Sequence, residues 1–451
     1  AAVTGGKQAA NTTESGDVSY PAAGNENFAG YTEDFFAAFV YNDSLSASLA
    51  SNSAYAARGT AGDQCYPVRA QFDAKDGGSS VAIGLGSTLW YYHYDISKSE
   101  GGGLKALTED QLPKAKRIME PLETPFAKVV ITGDMNGNRE VDWQDAAIAY
   151  RETVMHIPAG GEGVADSVNL RISMNFGSMA TNPFLIALDN VKRVAAHTDG
   201  LGQFVLLKGY AGEGHDSNHP QYDNIGVRRG GAEDMVTLMR EGGELGAVFG
   251  IHTNASEFYA EAIEEENQVL RYAAGGMKYG WNWLDQGISI NAVYDYAMGL
   301  RKTRWDKLYN IVRGYPFVVY VDVWGNNTSG TEDAFQTRAL SEEIISHDGW
   351  RIAHEWAWAN PYESTFQHWT TDFTYGDYSQ KGKLSGNVLR FILNQYKDSF
   401  PPDFASYGGS ANAPLLGGPA MQGFEGWQGD GEYSLSIYNT YNQMIYTKFL
   451  Q

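Results

Sequence analysis

A single cysteine, Cys65, in 451 residues has no intrachain partner, which excludes a disulfide scaffold. Its scarcity does not fix the compartment, because secreted chains also avoid cysteine. No apolar run approaches ~18 residues, so no segment has the length of a membrane-spanning helix. Positive charge is also scarce: 33 Lys and Arg face 54 Asp and Glu, a net charge of −21. Such a chain repels nucleic acid and anionic membrane through its net field. There is no internal repeat and no low-complexity tract. No Gly-rich phosphate turn follows an early strand, which argues against a doubly wound dinucleotide fold. The opening, AAVTGGKQAANTTESGD, lacks a charged and then apolar leader; the expectation is that any signal peptide has been removed.

What is present is a large core and many rings. Hydrophobic residues make up 43% of the chain and charged residues 19%, so wholesale disorder is excluded. Aromatics reach 13%, with 28 Tyr, 11 Trp and 20 Phe. Aromatic faces stack on the C–H faces of sugar rings, and Tyr and Trp add a polar handle. Ordinary core packing in a large protein accounts for the same composition.

Two regions read differently. Residues 1–125 carry short apolar runs, FFAAFVY (35–41), PVRAQFDA (67–74), SSVAIGLGS (79–87) and LWYYHYDI (89–96), separated by Gly, Asn, Asp and Ser. That punctuation predicts the strands of a β-sandwich domain. A helix is expected near 107–120. From 126 to 451 near-continuous apolar strands alternate with amphipathic helices, the pattern of a parallel sheet covered by helices. Strands are expected at 127–134, 168–176, 202–210, 246–254, 316–324 and 350–356, with weaker candidates around 280–286 and 420–427. Helices are expected at 143–155, 182–198, 231–243, 334–348 and 388–400. The fold class is α/β, a (β/α)8 TIM-like barrel preceded by a β-sandwich region.

In a barrel the carboxyl ends of the strands converge on one mouth, where active sites sit. Asp322 lies inside the apolar run VVYVDVW, where a carboxylate needs a partner or a task. Glu355 ends the next strand in HEW. The two are 33 residues apart, one strand–helix–strand step, and paired carboxyl groups are what glycoside hydrolysis requires. A buried Asp held by Arg, or a salt bridge from Glu355 to Arg351, would be the purely structural alternatives. His215, Asp216 and His219 follow a strand and suit sugar hydroxyls, a metal or a plain loop. Asn254 suits a sugar hydroxyl or a turn. Trp281 and Trp283 alternate in GWNWLD and would share one face of a strand, as a sugar platform or as core. In DMNGNREVDWQD, Asp134, Asn136, Asn138 and Asp145 fall at calcium-loop positions one, three, five and twelve. Arg139 stands where Gly is usual, so a structural Ca2+ and a capped loop both remain open.

These segments together resemble the endo-α-N-acetylgalactosaminidase family, glycoside hydrolase family 101. The resemblance rests on residues 134–151, KGYAGEGHDSNHP (208–220), GIHTNASE (250–257), GWNWLD (280–285), YVDVWG (320–325), 363–376 and GFEGWQG (423–429). It implies a retaining enzyme that needs no cofactor for catalysis and releases Galβ1-3GalNAc from Ser or Thr of mucin-type O-glycoproteins, outside the cell or at its surface. It further implies Asp322 as nucleophile and Glu355 as acid/base. Asp216, His219, Asn254, Trp281, Trp283 and Gln428 would contact substrate. Family members usually continue into further β-domains, one of which adds residues to the sugar site. Open alternatives at this stage are a non-catalytic glycan-binding module, a metal-dependent hydrolase and an α-glycosidase for another sugar.

Overall fold

The computed structural model describes residues 2–6, 17–21, 32–35, 37–51, 68–73, 80–85, 107–115, 127–153, 167–175, 182–215, 217–272, 274–282, 286–322, 333–354 and 364–367. These fall into two compact units. One takes in the described residues of 2–85 and 127–153; the other holds 107–115 and those from 167 to 367.

The first unit contains two antiparallel sheets. The larger runs in the order Asp17–Pro21, Ala2–Gly6, Ala37–Tyr41, Ser46–Ser51, Ala127–Thr132. The smaller comprises Thr32–Phe35, Val68–Asp73 and Ser80–Leu85. The β character expected of this region is present. The strand at 127–134, expected to begin the barrel, instead pairs antiparallel with Ser46–Ser51, Ser48 lying opposite Val130. Its alternating exposure, with Val129 and Ile131 outward, is that of a strand covered on one face, unlike a barrel stave. Helix Trp143–Thr153 packs in this unit too. Fully buried Phe39 anchors it, stacked on Trp143 at 6.5 Å and edge-on to Tyr150 at 6.0 Å.

The second unit is built on six parallel strands: Ser167–Met174, Gly202–Lys208, Ala247–Asn254, Phe317–Asp322, Trp350–His354 and Ser364–Gln367. They lie side by side in chain order with no reversal. A doubly wound sheet reverses at a switch point; this one does not. Phe184–His197, Gly231–Gly243, Ala292–Met298, Leu300–Val312 and Asp333–Ile345 are the intervening helices. In Phe184–His197 the buried residues are Phe184, Ala187, Leu188, Val191, Val194 and Ala195, a single stripe at helical spacing.

Alternation along the strands sorts the side chains into two faces. Val205, Leu207, Phe249, Ile251, Phe317, Val319, Val321, Trp350 and Ile352 join the helices in one continuous core. The opposite face carries Phe204, Leu206 and Lys208, then Val248, Gly250, His252 and Asn254, then Val318, Tyr320 and Asp322, then Arg351 and Ala353. Its lower end carries Phe204, Val248 and Val318 beside the buried Arg351, and its upper end carries Lys208, His252, Asn254 and Asp322.

Other readings differ as well. Residues 279–282, a weaker barrel candidate, form one strand of a separate antiparallel sheet with Glu257–Phe258 and Gln286–Ser289. Its own small core contains Phe258, Ala262, Val269, Ile288 and Ile290. Of the helix expected near 107–120, Gln111–Ala115 is described, opened by a reciprocal Thr108–Gln111 cap, and 116–120 lie outside the described residues. Ser364–Gln367 was not expected as a strand. The candidates at 89–96, 388–400 and 420–427 lie outside the described residues. Buried ion pairs fasten the helices. Arg304 pairs with Asp295, which also accepts from Gln268 Nε2 at 3.2 Å, and Arg301 pairs with Glu343 at 2.6 Å.

Candidate active site

Asp322 is the last residue of its strand and sits opposite Asn254 in the register. Its side chain is 19% exposed and lies 3.3 Å from His252 Nε2, measured to Oδ2. The carboxylate therefore faces an imidazole nitrogen on the neighbouring strand. An ionised carboxylate only accepts, so against an ionised Asp322 the hydrogen would stand on His252 Nε2.

His252 is held on two sides. Tyr320 stacks beside it at 5.2 Å and 24°, and His215 approaches edge-on at 4.9 Å and 70°. One layer below is Gly250, where a Cβ would lie 2.6 Å from the Val318 carbonyl oxygen. Any side chain there would push the two strands apart. Residue 209 also demands glycine: it has φ 74°, and a Cβ would lie 2.0 Å from the Asn175 carbonyl oxygen. That carbonyl accepts from His215 N at 2.9 Å, fixing the loop that delivers the histidine.

His219 is buried, its Nδ1 3.0 Å from Thr253 Oγ1, and its carbonyl accepts from Tyr259 N at 3.1 Å. Burial, reinforced by nearby His252, lowers its pKa to about 3. Burial also holds His215 well below the usual imidazole range, with Lys208 and His252 adding to the effect and Asp322 opposing it. Both rings are neutral at neutral pH. Neutral imidazoles both donate and accept, which suits hydroxyl recognition.

Asn254 has a structural task. Its Oδ1 accepts from Ser256 N at 2.9 Å, Ser256 Oγ at 3.1 Å and Glu257 N at 2.9 Å. The amide nitrogen is the group left to meet a ligand. Its carbonyl accepts from Tyr222 OH at 3.3 Å, and Tyr222 stacks on Trp305 at 3.7 Å. Trp281 lies on the Tyr279–Asn282 strand. Glu355, Asp216, Trp283 and Gln428 lie outside the described residues.

The 134–145 loop stands in the first unit. Asp134 accepts from Gly137 N and Arg139 N, Asn136 from Asn138 N, and Asn138 from Glu140 N. Fully buried Asp145 accepts from Met135 N, Asn136 N and Asp142 N. Arg139, at the position where glycine is usual, has φ 73°, so the backbone takes the left-handed form glycine favours.

Sequence reasoning named Asp322, His215, His219 and Asn254 but gave no role to His252, Tyr320, Thr253 or Lys208. The signal was in GIHTN and YVD: alternate residues of neighbouring parallel strands share a face, which sets His252 beside Tyr320.

A parallel sheet bearing polar side chains at the carboxyl ends of its strands is shared by many enzyme classes. Comparison with known proteins narrows it to the glycoside hydrolases. The family model described as endo-alpha-N-acetylgalactosaminidase matches residues 144–437. The chain belongs to that family, glycoside hydrolase family 101. A model for a galactose mutarotase-like fold domain matches residues 1–143. A protein of Renibacterium salmoninarum named as a putative endo-alpha-N-acetylgalactosaminidase is 35% identical over 420 residues, 92% of this chain. The chain spans about a quarter of the length of that relative, 25%. Among solved structures, the alpha-N-acetylgalactosaminidase NagBb from Bifidobacterium bifidum in complex with GalNAc is 13% identical, with a TM-score of 0.45 over 87% of this chain and 63% of that one. The GH36 alpha-galactosidase AgaA from Geobacillus stearothermophilus is 11% identical, with a TM-score of 0.48 over 100% of this chain and 62% of that one.

Proposed function

We propose that the protein is a retaining endo-α-N-acetylgalactosaminidase that releases Galβ1-3GalNAc from Ser or Thr of O-glycosylated proteins outside the cell. The observation that carries the reading is Asp322 at the carboxyl end of a parallel strand, on the face turned away from the helix-packed core and beside His252. Glu355 follows in sequence the strand Trp350–His354, which pairs in parallel with the strand of Asp322, and a pair of carboxyl groups is what glycoside hydrolysis requires. The six strands in chain order support a closed (β/α)8 barrel with this face inward.

In the proposed reaction Asp322 attacks the anomeric carbon while Glu355, protonated at the outset, donates to the departing Ser or Thr oxygen. The glycosyl–Asp322 ester then hydrolyses, with Glu355 taking a proton from the attacking water. Two inversions return the α-anomer. His219, Asn254 through its amide nitrogen, Asp216, Trp281, Trp283 and Gln428 bind the disaccharide.

A structural Ca2+ belongs to the same proposal. Asp134, Asn136, Asn138 and Asp145 would hold it. Each backbone N–H engages one lone-pair direction of a side-chain oxygen, and a carboxylate has about four, so the observed turns orient the remaining ones. The ion would brace the turn between strand Ala127–Thr132 and helix Trp143–Thr153.

Incubation with the nitrophenyl α-glycosides of Galβ1-3GalNAc and of GalNAc, followed by NMR, tests activity, sugar and stereochemistry together. Release of the α-disaccharide is expected. Release of the β-anomer or of GalNAc alone would replace the reading, and binding without turnover would reduce the protein to a glycan-binding module.

A further inference from the structure

We infer that His252 is the positioning residue for Asp322: its Nε2–H holds Oδ2 and so turns Oδ1 towards the anomeric carbon. The inference rests on the proposed role of Asp322 as nucleophile and adds what keeps that nucleophile aimed. A carboxylate on a single Cβ–Cγ bond swings freely unless one oxygen is tied. Attack requires alignment as well as proximity, and a misplacement of ~1 Å costs about 10²-fold in rate.

The geometry gives His252 this task. It lies on the strand next to Asp322, on the same face, one alternation below Asn254, the register partner of Asp322. From there the imidazole reaches diagonally to Oδ2 at 3.3 Å. Its own rotamer is confined by the stacked Tyr320 ring and the edge of His215, and it is buried. Glycine at 250, required by the closeness of the Val318 carbonyl, keeps the two strands at the spacing that this reach needs. His252 does not touch the sugar in this scheme and exchanges no proton with it.

Two substitutions separate positioning from mere packing. His252→Phe keeps a ring to stack on Tyr320 and removes the donor. His252→Gln keeps a donor at about the reach of Nε2. With the full chain and the nitrophenyl α-glycoside of Galβ1-3GalNAc, His252→Phe should lower kcat about 10²-fold while KM changes less than about threefold, because ground-state binding is untouched. His252→Gln should recover at least about tenfold of that loss. Thermal melts within a few degrees of wild type would show that both variants fold. Independently of turnover, 15N NMR of histidine-labelled protein should assign His252 to the Nε2–H form, with a slowly exchanging proton that exchanges quickly in Asp322→Ala. Wild-type kcat in His252→Phe, or a Gln variant no better than Phe, overturns the inference while Asp322→Asn remains inactive. An Nδ1–H tautomer for His252 overturns it as well. Full activity in Asp322→Asn would instead overturn the proposed function, and this inference with it.

Discussion

Acidification from pH 8 to pH 5 puts a proton within reach of His219 only if the protein unfolds. The ring is buried against Thr253 Oγ1 at 3.0 Å, and burial, with His252 beside it, lowers its pKa from 6.5 to about 3. In the unfolded chain the same ring titrates near 6.5. The folded form thus resists a proton that the unfolded form accepts. The stabilisation is complete above pH 6.5 and is lost as pH falls towards 3. The two pKa values give a loss of ~2 kcal/mol at pH 5 and ~3 kcal/mol at pH 4 from this residue alone. His215 is shifted in the same direction and adds to it. Against a typical margin of ~5–15 kcal/mol that is a large share. The assay is urea denaturation at pH 8, 6, 5 and 4, with hydrogen exchange of the 247–254 peptide as the local readout. His219→Gln removes the titration and keeps an amide for Thr253. Its stability should fall less steeply than wild type, by up to ~1.4 kcal/mol per pH unit below 6.5. Parallel curves for wild type and variant between pH 7 and pH 4 would refute the reasoning, because His219 would then titrate alike in both states.

Asp322→Asn should lower turnover by about 10³-fold or more. Glu355→Gln should cripple a peptide-linked substrate and largely spare a nitrophenyl glycoside, whose leaving group needs no proton; matched mild losses in both variants would point away from the carboxylate pair. Adding Ca2+ to EDTA-treated protein should raise Tm, by the equivalent of ~2.7 kcal/mol at a hundredfold excess over Kd. Asp145→Ala should abolish that rise, and no rise in the wild type would leave the 134–145 turns as loop caps alone. Trp305→Ala should cost ~3–5 kcal/mol and raise KM, because Trp305 backs Tyr222, whose hydroxyl bonds the Asn254 carbonyl; an unchanged KM in a folded variant would show that Asn254 needs no such support.

The parallel strands were legible because strands buried on both faces read as unbroken apolar runs, as FVVYVD and AVFGIHTN do. That signal misled at 127–132. AKVVIT is equally apolar, but Val129 and Ile131 are exposed and the strand joins an antiparallel sheet. Composition cannot report which strand a segment pairs with, since pairing is a long-range choice. The weaker stave candidate around 280–286 went astray for a related reason: a short aromatic run fits a stave or a small inserted sheet equally well, and for Tyr279–Asn282 the partners Glu257–Phe258 and Gln286–Ser289 decide it. Ser364–Gln367 is four residues of mixed polarity, too short for periodicity to register.

The candidate site divides along the same line. Asp322 stood out because a carboxylate in VVYVDVW has no cheap explanation, a local signal. His252 gave none, since a histidine near a strand end is ordinary. Its significance lies in a register of one strand against another, with Phe249 opposite Phe317 and Asn254 opposite Asp322. That register follows from packing Phe249, Ile251, Phe317 and Val319 into the helix-covered core, because a slip of one residue would turn every side chain to the wrong face. The apolar face therefore determines which polar residues meet on the other side. A substitution such as Gly250→Val, far from any sugar, would force the Val318 carbonyl away and widen the His252–Asp322 gap, so the loss of turnover should exceed the loss of substrate affinity.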